Sequence, residues 1–160
     1  MRQLRLTDDP ELTRQIASEA LAERLDQASI ALRIEFGGLL PQGRFGSASW
    51  DKEHDCYLIK LQSEGCTWHD LAHEIAHCAY DIEPGHWYDC RSDPHEEIQK
   101  VMDLDPARGL KLKIELHHSE LPAQYHAGYI LTQLRELAEA RGYDLCDEPS
   151  TGCPGPLQPD

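Results

Sequence analysis

The sequence predicts a single α+β domain, and three observations carry that prediction. Two stretches, 10–33 and 120–141, repeat apolar residues at helical spacing. Two β-prone runs, 44–50 and 56–61, flank a short polar turn. A third helical stretch, 67–83, lies between these groups and carries clustered histidines. The chain has 160 residues, enough for one domain with a real core. At 40% hydrophobic and 28% charged, it has the composition of a soluble globular protein.

The first long element is predicted over 10–33. Asp8 or Asp9 can cap it and Pro10 suits its first position. Leu12, Ile16, Ala20, Leu21, Leu25, Ala28 and Leu32 form its apolar stripe. A loop over 36–43 leads into the β-hairpin, whose turn is Asp51 to Asp55. Thr67 then caps a helix, with Asp70 three residues on as a short capping box. Leu71, Ile75, Cys78 and Ile82 are its buried stripe, and Pro84-Gly85 stops it. Asp93, Pro94 and Glu96 open a further helix with apolar Ile98, Val101 and Met102. Next, Leu110, Leu112, Ile114 and Leu116 alternate strictly with Lys, Lys, Glu and His, the pattern of a half-buried strand. Ser119 caps the last helix, with Tyr125, Ile130, Leu134 and Leu137 inward, and Gly142 ends it. The domain is expected over 1–145, followed by a Pro/Gly-rich tail over 146–160.

The chemistry concentrates in His73-Glu74-Ile75-Ala76-His77. Two His four apart share one helix face, so both imidazoles can reach one metal ion. Zinc accepts such nitrogens and keeps a position open for water in catalytic sites. Glu74, directly after the first His, is placed to take that water's proton rather than to hold the ion. The plain alternative is a helix that merely carries surface His and Glu.

This motif on a helix resembles the zincin metallopeptidases, most of all the small SprT-like and WLM-like group. The resemblance is strong over the motif helix and weaker over roughly 43–103. It implies a zincin-like arrangement: a long N-terminal helix, a short antiparallel sheet, the motif helix, a ligand-bearing helix and a closing helix. It also implies a zinc-dependent metallopeptidase, with protein or peptide as substrate. Zincins place the sheet just before the motif helix, and its edge strand can hold an extended substrate. Hydrophobic spacing does not say which strand is the edge.

A catalytic zinc needs a third protein ligand. His86, His95, Glu96 and Glu97 are the candidates. His95 is favoured, because it lies in the first turn of a capped helix, a rigid platform. The SprT-like and WLM-like group likewise takes a third His from a helix start. His86 has the shorter gap from His77, but Pro94 prevents a helix from running on from it. Glu97 suits the gluzincin pattern, in which a downstream helix supplies a Glu, but Val101 stands where that pattern expects an Asp. His69 lies about two turns from His77, too far along the axis to share the ion. Tyr80, Tyr88, Tyr125 and Tyr129 are candidate oxyanion donors.

Charge and cysteines narrow the setting. The net charge of −14 repels phosphate backbones, and the basic DNA-binding element usual in SprT-like proteases is missing, so nucleic acid is not an expected partner. The six Cys include no C-x-x-C pair, which excludes a zinc ribbon. The N-terminus carries no secretion signal and no run reaches a membrane span, so cytoplasmic residence and free thiols are expected. A rival from another class is a protein-binding module on a zincin scaffold with structural zinc. Glu74 speaks against it, because a structural site has no use for that carboxylate.

Overall fold

The computed structural model describes residues 1–37, 45–80 and 93–148. It is a mixed α+β fold of five α-helices and two small sheets. In chain order the elements are β1 (Arg2–Leu4), α1 (Pro10–Arg24), β2 (Leu32–Phe36), β3 (Gly46–Asp51) and β4 (Cys56–Leu61). Then follow α2 (Trp68–Tyr80), α3 (Pro94–Leu104), α4 (Pro106–Glu115), a π-helical turn (Leu116–Glu120), α5 (Leu121–Glu139) and β5 (Tyr143–Leu145).

Helix α1 starts as its sequence predicts, with Asp9 accepting from the Leu12 amide at 3.1 Å and Pro10 in the first turn. It ends nine residues earlier than the stripe suggests, at Arg24 rather than Arg33. Asp26 adopts φ +53°. The Gln27 amide reaches back to the Ala22 carbonyl and the Asp26 amide to that of Glu23. This is a Schellman stop with Asp where Gly is usual, so the sequence carries little warning of it. The freed chain runs out to β2, which buries Leu32 and Phe36.

The hairpin forms as predicted. Strands β3 and β4 pair antiparallel from Gly46↔Leu61 to Asp51↔Cys56. Strand β2 adds to β4 in parallel, giving the order β2-β4-β3 and leaving β3 at an edge. Strands β1 and β5 pair in parallel and tie the described ends of the chain together.

Beneath the three-stranded sheet lies α2. Its N-terminus keeps half of the capping box: Asp70 accepts from the Thr67 amide at 2.7 Å. Trp68, Leu71, Ala72, Ile75 and Ala76 bury in the main core with Ile16, Leu21, Ile59, Leu61, Ile130 and Leu134. The Trp68 indole donates to the Leu4 carbonyl at 3.0 Å, so even this large ring leaves no unpaired donor. Helix α5 packs along α2 and ends at Glu139, just before Gly142 (φ +84°), the residue expected to stop it. Of its predicted inward residues, Ile130 and Leu134 are buried, but Tyr125 is exposed.

The alternating segment is not a strand. Residues 106–115 form α4, capped by Asp105 and opened by Pro106. The alternation misleads because Leu112 and Leu116 are also i and i+4, one face of a helix. These two bury against Ile98 in a small second core, while Leu110 and Ile114 are each 54% exposed. Gly109 lets α3 and α4 touch, since a Cβ there would overlap Met102. Helix α4 runs on through the π-helical turn into α5, so Ser119 sits inside a helical run rather than capping one. Most of the Pro/Gly-rich tail lies outside the described residues. Among the described residues, no helix is long and apolar enough to cross a membrane.

Candidate metal centre

Helix α2 brings His73 and His77 together as the i, i+4 spacing requires, their Nε2 atoms 3.1 Å apart. The third member of the group is Glu120, the last residue of the π-helical turn. Its Oε2 lies 3.2 Å from His73 Nε2 and its Oε1 3.1 Å from His77 Nε2. All three side chains are fully buried. A π-turn inserts an extra residue into a helical run, and here that residue count turns a carboxylate inward at the junction of two helices.

The Gln124 amide, one turn into α5, lies 3.0 Å from His73 Nδ1 and accepts its proton through Oε1. That hydrogen bond puts the ring proton on Nδ1 and turns the Nε2 lone pair toward His77 and Glu120. The two Nε2 lone pairs and the Glu120 carboxylate then face one another, an arrangement that a positive charge at its centre would stabilise. A tetrahedral zinc with bonds of about 2.0–2.1 Å has ligand–ligand edges of roughly 3.3 Å, close to the observed spacing. Two imidazoles and one carboxylate are also a donor set that such ions accept. The group could therefore hold a metal ion.

Glu74 lies beside it, fully buried, and neither carboxylate oxygen has a hydrogen-bond partner among the described residues. Burial pushes its pKa up to about 7, against the pull of His77 and His73. Strand β3 comes very close: a Cβ on Gly46 would stand 2.9 Å from Glu74 Oε2. Only glycine gives the carboxylate room there. Burial also acts on Glu120, but with no ion bound, protonated His73 and His77 donate to it and their charge outweighs burial, so its pKa is lowered.

The remaining predicted candidates that are described lie elsewhere. His95 is exposed in the first turn of α3, its ring 6.4 Å from that of His117 and outside the buried group. Its amide is held by the Asp93 cap, which orients the helix start rather than the imidazole. Glu96 is exposed and Glu97 is half-buried, pairing with Lys100. His86 and Tyr88 lie outside the described residues. Tyr80, Tyr125 and Tyr129 are exposed. A second cluster, Asp51, Glu53 and His54, sits on the β3–β4 turn, and there the Arg33 guanidinium occupies the cation's place at 3.0 Å from Asp51.

Glu120 and Gln124 escaped the sequence because the residues before them read as a strand. The available signal was the spacing Glu120-x-x-x-Gln124 at the head of the last helix, which puts both side chains on the face turned to α2. No protein-family model matches this chain, and no curated protein and no solved structure resembles it to a significant degree.

Proposed function

We propose that this protein is a zinc-dependent metallopeptidase of the zincin type, with His73, His77 and Glu120 holding the ion. The observation that carries the reading is the convergence of two imidazole nitrogens, 3.1 Å apart, and the two oxygens of one buried carboxylate, 3.2 Å from His73 and 3.1 Å from His77, beside a second buried carboxylate, Glu74, that has no hydrogen-bond partner among the described residues. A Glu as third ligand departs from the three-His set of the SprT-like group. It fits the pattern in which a downstream helix supplies the Glu, with Gln124 where that pattern has an Asp.

Bound at these residues, zinc would supply Lewis acidity that acidifies a water and polarises the scissile carbonyl. Glu74 takes the water's proton as its oxygen attacks the carbonyl carbon, and returns it to the departing amine nitrogen. Gln124 holds His73 in the tautomer that presents Nε2 inward. The peptide lies along β3, whose outer edge has no strand partner among the described residues and whose Gly46 adjoins Glu74. Buried free thiols at Cys56, Cys66 and Cys78 suit a reducing, cytoplasmic setting.

One observation favours a second reading, a binding module with a structural metal: His73, Glu74, His77 and Glu120 show no exposed surface. The variant Glu74→Gln separates the two. In a peptidase it keeps its zinc and its fold, while cleavage of a labelled unfolded protein falls at least about a hundredfold. Unchanged cleavage would remove Glu74 as the base. No cleavage by the zinc-loaded wild type would favour the binding module.

A further inference from the structure

Away from the metal group, α1, α5 and the end of α2 enclose a cleft of about 520 Å³. Its floor is organised by Gln133, a nearly buried amide on α5. Gln133 accepts from Arg24 Nε at 3.0 Å and donates to Glu23 Oε2 at 2.6 Å. One amide thus fixes two charged side chains of the last turn of α1. Arg24 spends a single donor on this contact. A guanidinium has five, and its two terminal nitrogens keep the fork that matches a carboxylate. No carboxylate among the described residues pairs with it, although Glu23 and Glu136 also line the cleft.

The rim is aromatic. Tyr80 and Tyr129 flank the cleft, 49% and 57% exposed. The row continues along the surface: His126 stacks on Tyr80 at 4.0 Å, and Tyr125 meets both His126 and Tyr129 edge-on. Four neighbouring rings on the outer face of α5 and α2 contribute little to the core. Exposed aromatic groups of this kind, next to an arginine held in one orientation, have the make-up of interaction hot spots. The volume suits two or three residues of a peptide.

We infer that this cleft binds a polypeptide through its carboxylate, with Arg24 gripping the acid and Tyr80 and Tyr129 flanking the adjoining aromatic or aliphatic side chain. Glu136 is left to accept the peptide's amide hydrogens. A phosphate is disfavoured, because two flanking carboxylates repel a dianion more than a single negative charge. The inference does not depend on peptidase activity, since the cleft serves a binding module equally.

The test uses the full chain carrying Glu74→Gln, so that no probe is consumed. Acetyl-Phe-Ala-Phe with a free C-terminus, its C-terminal amide, and acetyl-Phe-Glu-Phe-amide are titrated by NMR or calorimetry. The free acid or the Glu peptide should bind about tenfold tighter than the uncharged amide, and which of them does so identifies the source of the carboxylate. Arg24→Gln should reduce the acids to the level of the amide. Arg24→Lys, which keeps the charge without the fork, should fall between. Tyr129→Ala should weaken all three probes together. Binding of both the free acid and the Glu peptide no tighter than that of the amide, or acid binding untouched in a folded Arg24→Gln protein, would overturn the inference. So would tighter binding of acetyl-Phe-Lys-Phe-amide than of either acid, which would make the cleft a cation site.

Discussion

At the scale of single residues, the site turns on which side chain is third at the metal. Glu120 is buried and 3.1–3.2 Å from both histidines, whereas His95 is exposed on another helix. Purified protein should hold about one zinc per chain. His73→Ala, His77→Ala and Glu120→Ala should each lose it, and His95→Ala should keep it. Metal analysis by mass spectrometry decides this; zinc lost from His95→Ala and kept in Glu120→Ala would reverse the assignment. His73, Glu74 and His77 were legible in the sequence because a helix fixes the relation of residues four apart. Glu120 was not, because its distance from His77 is set by how two helices pack.

The elements test a different point, the helix that replaced a predicted strand. In α4 and the π-turn the apolar side chains that face inward, among the described residues, are Leu112 and Leu116. Leu116→Ala should therefore cost about 2–5 kcal/mol in chemical denaturation. Ile114→Ser, at a half-exposed position, should cost no more than about 0.5 kcal/mol. A strand would bury both, and equal losses would restore it. The hairpin carries a pH dependence. The His54 hydrogen bond holds the Asp51 carboxyl below its ordinary pKa of 3.8. Asp51 also accepts from the Glu53 and His54 amides, which shapes the turn. A depressed carboxylate pKa adds stability above about pH 4 that is lost as pH falls through the folded value. Asp51→Asn should thus have a lower Tm than the wild type at pH 7, with the gap closing toward pH 3. A gap independent of pH would mean that the charge contributes nothing.

For the whole molecule, the His73, His77 and Glu120 group would act as a clasp when it holds an ion. His73 and His77 belong to α2, while Glu120 and Gln124 lie at the head of α5. An ion bound only by the folded chain stabilises it by mass action, about 4 kcal/mol at a thousandfold excess over Kd. Zinc should raise Tm by roughly 10 °C and a chelator should reverse the gain. A Tm indifferent to metal would argue that these residues hold none.

The sequence alone determined what is local. Capping residues and 3.6-residue periodicity set the start of α1, α2 from its cap to Tyr80, the start of α3 and the end of α5, and β-prone runs around a polar turn set the hairpin; the expected stop of α2 at Pro84-Gly85 lies outside the described residues. Each depends on contacts within a few residues, and those are written in the order of the chain. Tertiary structure decided the rest. The leucines of 110–116 satisfy both a strand and a helix, and the helix prevailed because its face buries Leu112 and Leu116 against Ile98. Asp26 in a left-handed conformation released β2 from the end of α1 to pair with β4. The third donor came from a π-turn far along the chain, brought to His73 and His77 by the packing of α5 on α2. Such contacts follow from the shape of the whole core, and no short window of sequence contains them.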